Sequence, residues 1–165
     1  MPKNRFKVLI LQKSAIQQSG SEFSEKISEL LPECEIVVPV SWSESEILGL
    51  AKDTDVIFGH DVSKKIIGAT ERLKLIQTMG SGVDKVDIDA ATEKGVLVCN
   101  SVGLNAVRVA EHAVALTLAL AKKVTKFDSD IKKGLWIPSA TVKLQGKTLG
   151  IIGFGSIGIE VAKKR

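Results

Sequence analysis

Apolar positions in the first 100 residues fall into short continuous runs, and the stretches between them are mixed apolar and polar at helical spacing. Residues 6–11 form a largely apolar run of strand length, the kind that is buried on both faces of a parallel sheet. Beyond Gly20, Ser21 stands where it can cap a helix whose Phe23, Ile27, Leu30 and Leu31 share one face, and Pro32 stops it. Residues 34–38 read as a second buried strand. Ser43, with Glu46 three residues later, is a capping-box signature opening a helix that carries Ile47, Leu48 and Leu50. Residues 56–58 make a third strand closed by Gly59, residues 63–67 a short helical piece, and residues 73–78 a fourth strand. A helix over 86–94 ends at Gly95, a residue suited to the left-handed position just past a helix, and residues 96–99 make a fifth strand.

Five strands alternating with helices predict an α/β fold with a doubly wound parallel sheet. Right-handed crossovers then give strand order 2-1-3-4-5, the flavodoxin-like arrangement. Residues 105–123 predict a longer helix whose C-terminal half is apolar around most of its circumference, which calls for burial between layers or between subunits. Residues 127–133 continue amphipathically, 134–138 break the pattern, and 139–146 read as a polar surface connection. Residues 148–152 then predict a strand that begins a second sheet. The domain boundary is expected near Asn100, separating residues 1–100 from 101–165.

Composition narrows the class of function. The 165 residues fit one to two domains, and 44% hydrophobic with 25% charged residues is ordinary for a soluble globular protein. The net charge of +4 is modest and spread along the chain, and the one dense cationic cluster is residues 163–165. No aromatic alternates with it, which argues against nucleic acid as a partner. Cys34 and Cys99 lack any metal-ligand spacing and lie beside apolar strands, so two buried, reduced thiols of a cytoplasmic protein are expected. The N-terminal residues show no signal-peptide apolar region, and the most apolar stretch, residues 113–121, is too short to span a bilayer.

Three stretches carry candidate chemistry. Gly153, Gly155 and Gly158 form a G-x-G-x-x-G between a predicted strand and a predicted helix, the placement a dinucleotide fingerprint requires. Gly153 lets the chain turn tightly, Gly155 lets backbone approach a pyrophosphate, and Gly158 lets the helix pack on the strand. Free amides near Ser156 and Ile157, at the helix start, would hold the phosphates. Gly80-Ser81-Gly82 follows the fourth strand at its carboxyl end, where open α/β sheets collect ligands. Its backbone N–H groups can form a concavity for a carboxylate, or the segment can be a tight turn feeding a helix. Asn105 can cap the long helix. His60 reads as a surface residue, Asp84, Asp87 and Asp89 as turn and helix-start residues, and Glu111 and His112 as packing and hydrogen-bonding residues.

Taken together, these segments resemble the D-isomer-specific 2-hydroxyacid dehydrogenases, the family of phosphoglycerate dehydrogenase. Residues 73–89 look like the first signature of that family, residues 100–112 resemble its interdomain hinge, and 134–136 with 144–158 its entry into the nicotinamide-binding Rossmann fold. The resemblance implies a substrate domain over 1–100, followed by a hinge helix and the first βα unit of a Rossmann domain over 101–165. It implies that Ser81, Gly82 and Asn105 meet the substrate. It also implies that Ser81, Gly153, Phe154, Gly155, Ser156, Ile157 and Gly158 meet the cofactor, which is NAD, with NADP left open. The activity implied is hydride transfer between a D-2-hydroxy acid and its 2-keto acid. The family's catalytic Arg, Glu and His belong to later segments, so no catalytic residue is assigned among these 165 and the chain alone is expected to be inactive. Two other readings stand beside this one: a cofactor-sensing binding protein resembling the corepressors of this fold, and a non-catalytic fragment or interaction module. The expected partners are a small 2-hydroxy or 2-keto acid and a second copy of the chain meeting the 105–123 helix, with no metal and no membrane.

Overall fold

The computed structural model describes residues 5–19 and 21–164. Gly20, Arg165 and the N-terminal residues named above lie outside them. The chain forms two compact units, Met1–Ser101 and Val102–Arg165.

The first unit is built from β1 (Phe6–Leu11), α1 (Lys13–Ser19), α2 (Glu22–Leu30), β2 (Cys34–Val37), α3 (Glu44–Ala51), β3 (Val56–Gly59), α4 (Lys64–Ala69), β4 (Leu75–Gln77), α5 (Ile88–Glu93) and β5 (Leu97–Cys99). Its five strands are all parallel and run β2-β1-β3-β4-β5, the order expected. Leu9 and Ile10 are neighbours in β1 and therefore point to opposite faces, yet both are fully buried, so both faces of this interior strand are covered. Leu9, Ile57, Ile67 and Ile76 lie in one core cluster with the small residues Ala90 and Ala91 of α5.

One end of the sheet is fastened by Asp55, which is fully buried. Its carboxylate accepts from both the Lys7 amide (3.0 Å) and the Arg72 guanidinium (2.9 and 3.0 Å). Its backbone N–H and carbonyl bond to Lys7 and Lys74, so one residue ties β1 and β3 to the entry of β4. The Lys94 ammonium donates to the carbonyls of Ile67, Gly68 and Thr70, closing the C-terminal end of α4.

Local expectations fared unevenly. Ser43, Ser63 and Asp87 accept from the amides three residues on, as helix caps do, and Gly95 has φ +68°. Ser21 occupies the cap position of α2 without a side-chain cap bond, because its backbone is itself helical (φ −74°, ψ −19°). Helix α1 was not foreseen: Ile16 is its only large apolar residue, so no periodicity marks it. Cys34 is half-buried, but Cys99 is exposed, correcting the expectation of two buried thiols. Among the described residues β5 is an edge strand paired with β4 alone, and Leu97, two residues before Cys99 in it, is exposed as well.

The second unit contains α6 (Ala106–Ala121), α7 (Val124–Lys132) and α8 (Ser156–Lys163). Ala106, Ala110 and Gly158 are its buried helix residues, small enough to let α6 and α8 approach closely. Lys123, at φ +54°, turns the chain between α6 and α7, and Gly134 at φ +71° ends α7. Residues 148–152 are not a strand, contrary to expectation. A strand exists through ladder bonds to a neighbour, and among the described residues of this unit no strand is present to pair with. Leu116, Leu118 and Leu120 of α6 are exposed in the single chain. His112 is exposed too, so its reading as a packing residue is corrected. Glu111 keeps a polar role, accepting from the Lys164 ammonium at 3.1 Å.

Candidate functional site

The carboxyl ends of β1, β3 and β4 bring three loops of the first unit together. A pair of backbone bonds, Val62 N–H to the Lys85 carbonyl and Asp87 N–H to the Val62 carbonyl, ties the loop after β3 to the loop after β4. Residues 80–85 are thereby held against His60 and Asp61.

The Gly80-Ser81-Gly82 loop is organised through its carbonyls. That of Gly80 accepts from the Thr78 hydroxyl (2.9 Å) and the Ser101 amide (2.9 Å), and that of Ser81 from the Asn100 side chain (2.8 Å). Ser101 is held in turn by its hydroxyl's bond to the Thr78 carbonyl and by Gln77. The amides of Gly80, Ser81 and Gly82 have no acceptor among the described residues. Ser81 and Gly82 are exposed and Gly80 is half-buried. The loop is an anchored set of free N–H groups, and a carboxylate is the ligand such a set suits. Thr78, Asn100 and Ser101 were not singled out from the sequence as supports of this loop. The signal available was a cluster of short polar side chains directly after two adjacent strands.

His60 is half-buried rather than a free surface residue. Its ring lies 3.4 Å from where a side chain at Gly80 would begin, and it lines a cavity of about 840 Å³ with Leu11, Lys13, Trp42, Ile47 and Gly82. This cavity opens between β1 and β3, where the strand order reverses, the position at which doubly wound sheets bind ligands. Of the three aspartates, Asp87 caps α5 through Ala90 N–H (2.9 Å) and Asp89 lies in its first turn. The Asp84 carboxylate stands 3.1 Å from where a Gly82 side chain would begin.

In the second unit, Asn105 sits at the start of α6 with φ −102° and ψ 4°. Its side chain makes no cap bond, so the capping expectation is corrected; its carbonyl accepts the Val109 amide instead. Gly153, Phe154, Gly155, Ser156 and Ile157 form an exposed turn into α8. The structure requires glycine at two of the three fingerprint positions, Gly153 and Gly158, and leaves open space at the third. Gly153 has φ +86°, a side chain at Gly155 would meet nothing within 4 Å, and one at Gly158 would collide with the Gly153 carbonyl. The space before Gly155 is therefore open to a ligand, while the turn and helix are locked together behind it. The first-turn amides of α8 have no acceptor among the described residues. A pyrophosphate fits this arrangement: short backbone approach at Gly155 and N–H donors at Ser156 and Ile157.

A family model described as D-isomer specific 2-hydroxyacid dehydrogenase, catalytic domain, matches residues 8–161. The chain belongs to this family. Among curated 2-hydroxyacid dehydrogenases, D-3-phosphoglycerate dehydrogenase of Methanocaldococcus jannaschii is 38% identical over 162 residues, covering 95% of this chain and 30% of that protein. The enzyme of the same description from Archaeoglobus fulgidus is 38% identical over 135 residues, 79% of this chain and 26% of that protein. The solved structure of NAD-dependent formate dehydrogenase from Staphylococcus aureus in complex with NAD aligns with TM-score 0.78 at 30% identity, covering 96% of this chain and 53% of that one. The chain thus spans less than a third of the length of these two curated dehydrogenases and about half of the solved one.

Proposed function

We propose that the chain is the substrate-binding unit and cofactor-entry segment of an NAD- or NADP-dependent oxidoreductase that interconverts a D-2-hydroxy acid and its 2-keto acid. The observation that supports this reading is the Gly80–Gly82 loop, where the Gly80 and Ser81 carbonyls are anchored and the three amides have no acceptor among the described residues. In this reading the substrate carboxylate lies on those amides, with Ser81 and Gly82 as its contacts in the first unit. In the second unit, Asn105 is the further substrate-meeting residue that the family resemblance implies. Gly153, Phe154, Gly155, Ser156, Ile157 and Gly158 form the pyrophosphate turn. The nicotinamide supplies or accepts the hydride when bound. What these residues do is fix the carboxylate and hold the cofactor's phosphates, which lowers the entropic part of the barrier by orientation.

Proton transfer to or from the substrate oxygen needs an acid/base, and the developing charge needs a cation. The described residues of the Gly80–Gly82 loop and of the glycine turn offer neither as a side chain. The 165 residues by themselves are therefore read as binding without turnover. The test is an amide NMR titration of the chain with pyruvate, alongside an absorbance assay with NADH. Pyruvate is expected to shift the Gly80, Ser81 and Gly82 resonances while NADH is not consumed. Unmoved loop resonances at saturating pyruvate, or consumption of NADH that disappears on mutating a residue of this chain, would refute the reading. Cofactor affinity at the glycine turn alone is expected to be no tighter than millimolar, checked by calorimetry with NAD.

A further inference from the structure

We propose that the cavity at the β1–β3 junction receives an apolar, preferentially aromatic, group on carbon 3 of the 2-keto acid, and that Trp42 selects for it. The proposal rests on the reading of Gly80–Gly82 as the carboxylate cradle. Gly82 belongs both to that loop and to the cavity wall, so an acid seated on the loop amides has the rest of its carbon chain facing this space.

The chemistry of the walls decides what the space accepts. Leu11, Trp42 and Ile47 supply an apolar surface, beside the polar Gln12, Ser14, Gln17 and His60. The charged side chains around it balance: Lys13 and Lys85 against Asp61 and Asp84. Lys85 is already paired with Asp61 at 3.2 Å, and the Lys13 ammonium lies 5.9 Å from the centroid of the Trp42 ring. Among the described lining residues there is no arginine. A phosphate or second carboxylate on carbon 3 would call for a guanidinium fork or a surplus of unpaired cations, which this cavity does not offer.

Trp42 is also placed with unusual care. Its backbone is left-handed, at φ +58°, a conformation that bulky residues seldom adopt. Glu46 holds it there by accepting the amides of Val40, Ser41 and Trp42 at 2.8–2.9 Å and the Ser41 hydroxyl at 2.7 Å. A dedicated carboxylate thus fixes the backbone that carries the cavity's indole side chain. Backbone forced into a sparsely populated region and over-determined by its surroundings is a common feature of ligand sites.

The experiment is a titration of the chain with pyruvate, phenylpyruvate and 3-phosphohydroxypyruvate, read by amide NMR at Gly80–Gly82 and by the indole N–H of Trp42. Phenylpyruvate is expected to shift both sets and to bind at least tenfold more tightly than pyruvate. Trp42→Ala is expected to reduce that ratio to below threefold, and Trp42→Phe to retain most of it. Should Trp42→Ala fail to fold, Trp42→Leu takes its place with the same expected loss. If pyruvate shifts the loop but phenylpyruvate binds no more tightly, or the phosphorylated acid binds most tightly, the proposal is overturned while the cradle stands. If no acid shifts the loop, the cradle reading fails and this proposal falls with it.

Discussion

Two glycines of the first unit, Gly49 and Gly59, look equivalent in the sequence and are opposites in the fold. A methyl group at Gly59 would stand 2.5 Å from the Leu11 carbonyl oxygen and 2.8 Å from its carbon, in the ladder between β1 and β3. Gly49 lies inside α3 with nothing within 4 Å. Gly59→Ala is therefore expected to lower stability by about 1–3 kcal/mol through overpacking, and Gly49→Ala to raise it by about 0.5–1 kcal/mol. Urea unfolding midpoints of the two variants should move in opposite directions. Asp55 and Asp53 make a second contrast. Asp53 meets the Lys7 ammonium at the surface, whereas Asp55 is buried with two donors. Asp55→Ala is expected to cost roughly 1.5–3 kcal/mol and Asp53→Ala less than about 1 kcal/mol; equal midpoints would contradict the assignment of Asp55 as the fastening point.

At the scale of an element, α3 shows how a signature can be right about a helix start and incomplete about its bonds. Ser43 does accept from Glu46 N–H, but Glu46 reaches past Ser43 to the three preceding amides. Those bonds, with the Ser41 hydroxyl foremost, hold the Glu46 carboxyl below its ordinary value of 4.5. A carboxyl depressed in the folded state stabilises the fold above its ordinary value, and this contribution is lost as pH falls through the lowered one. Wild-type stability is accordingly expected to decline below about pH 4.5 in part through Glu46. Glu46→Gln should be less stable at neutral pH and show a flatter decline over that acid window. Parallel curves for the two proteins in urea melts between pH 6 and pH 3 would show that Glu46 is not the titrating group.

On the whole molecule, the two units differ in how they are covered. The sheet of the first is enclosed on both faces around Leu9 and Ile10. In the second, Leu116, Leu118 and Leu120 of α6 and Leu149, Ile152 and Phe154 beyond it are all exposed. Covering each such side chain recovers about 1.5–3 kcal/mol, so we expect the chain to self-associate through α6. Light scattering should give a mass above that of a monomer, and Leu116→Lys with Leu120→Lys should lower it. The same contrast predicts exchange behaviour: amides of residues 148–152 should exchange far faster than those of β1. Protection of both stretches to the same degree in a monomer would count against this account.

The apolar runs of the first unit determined its strands, and the handedness of their crossovers determined their order, because both follow from local chirality and from burial on two faces. The motifs determined the family for a similar reason: the glycine at Gly153 answers to a positive φ, and the one at Gly158 to a collision with the Gly153 carbonyl that any side chain would meet. What could not be read locally depended on neighbours far along the chain. Helix α1 has no periodicity because one large apolar residue suffices for it. Residues 148–152 have strand-like side chains but no ladder partner, and Cys99 is exposed because its strand lies at the sheet's edge. The supports of the Gly80–Gly82 loop came from Thr78, Asn100 and Ser101, on two segments joined only when β4 pairs with β5. His60 and Trp42, on the loops after β3 and β2, reach the same cavity only because β2 and β3 both pair with β1. Side-chain pattern reports what a segment can bury; which segments meet is set by the sheet that brings them together.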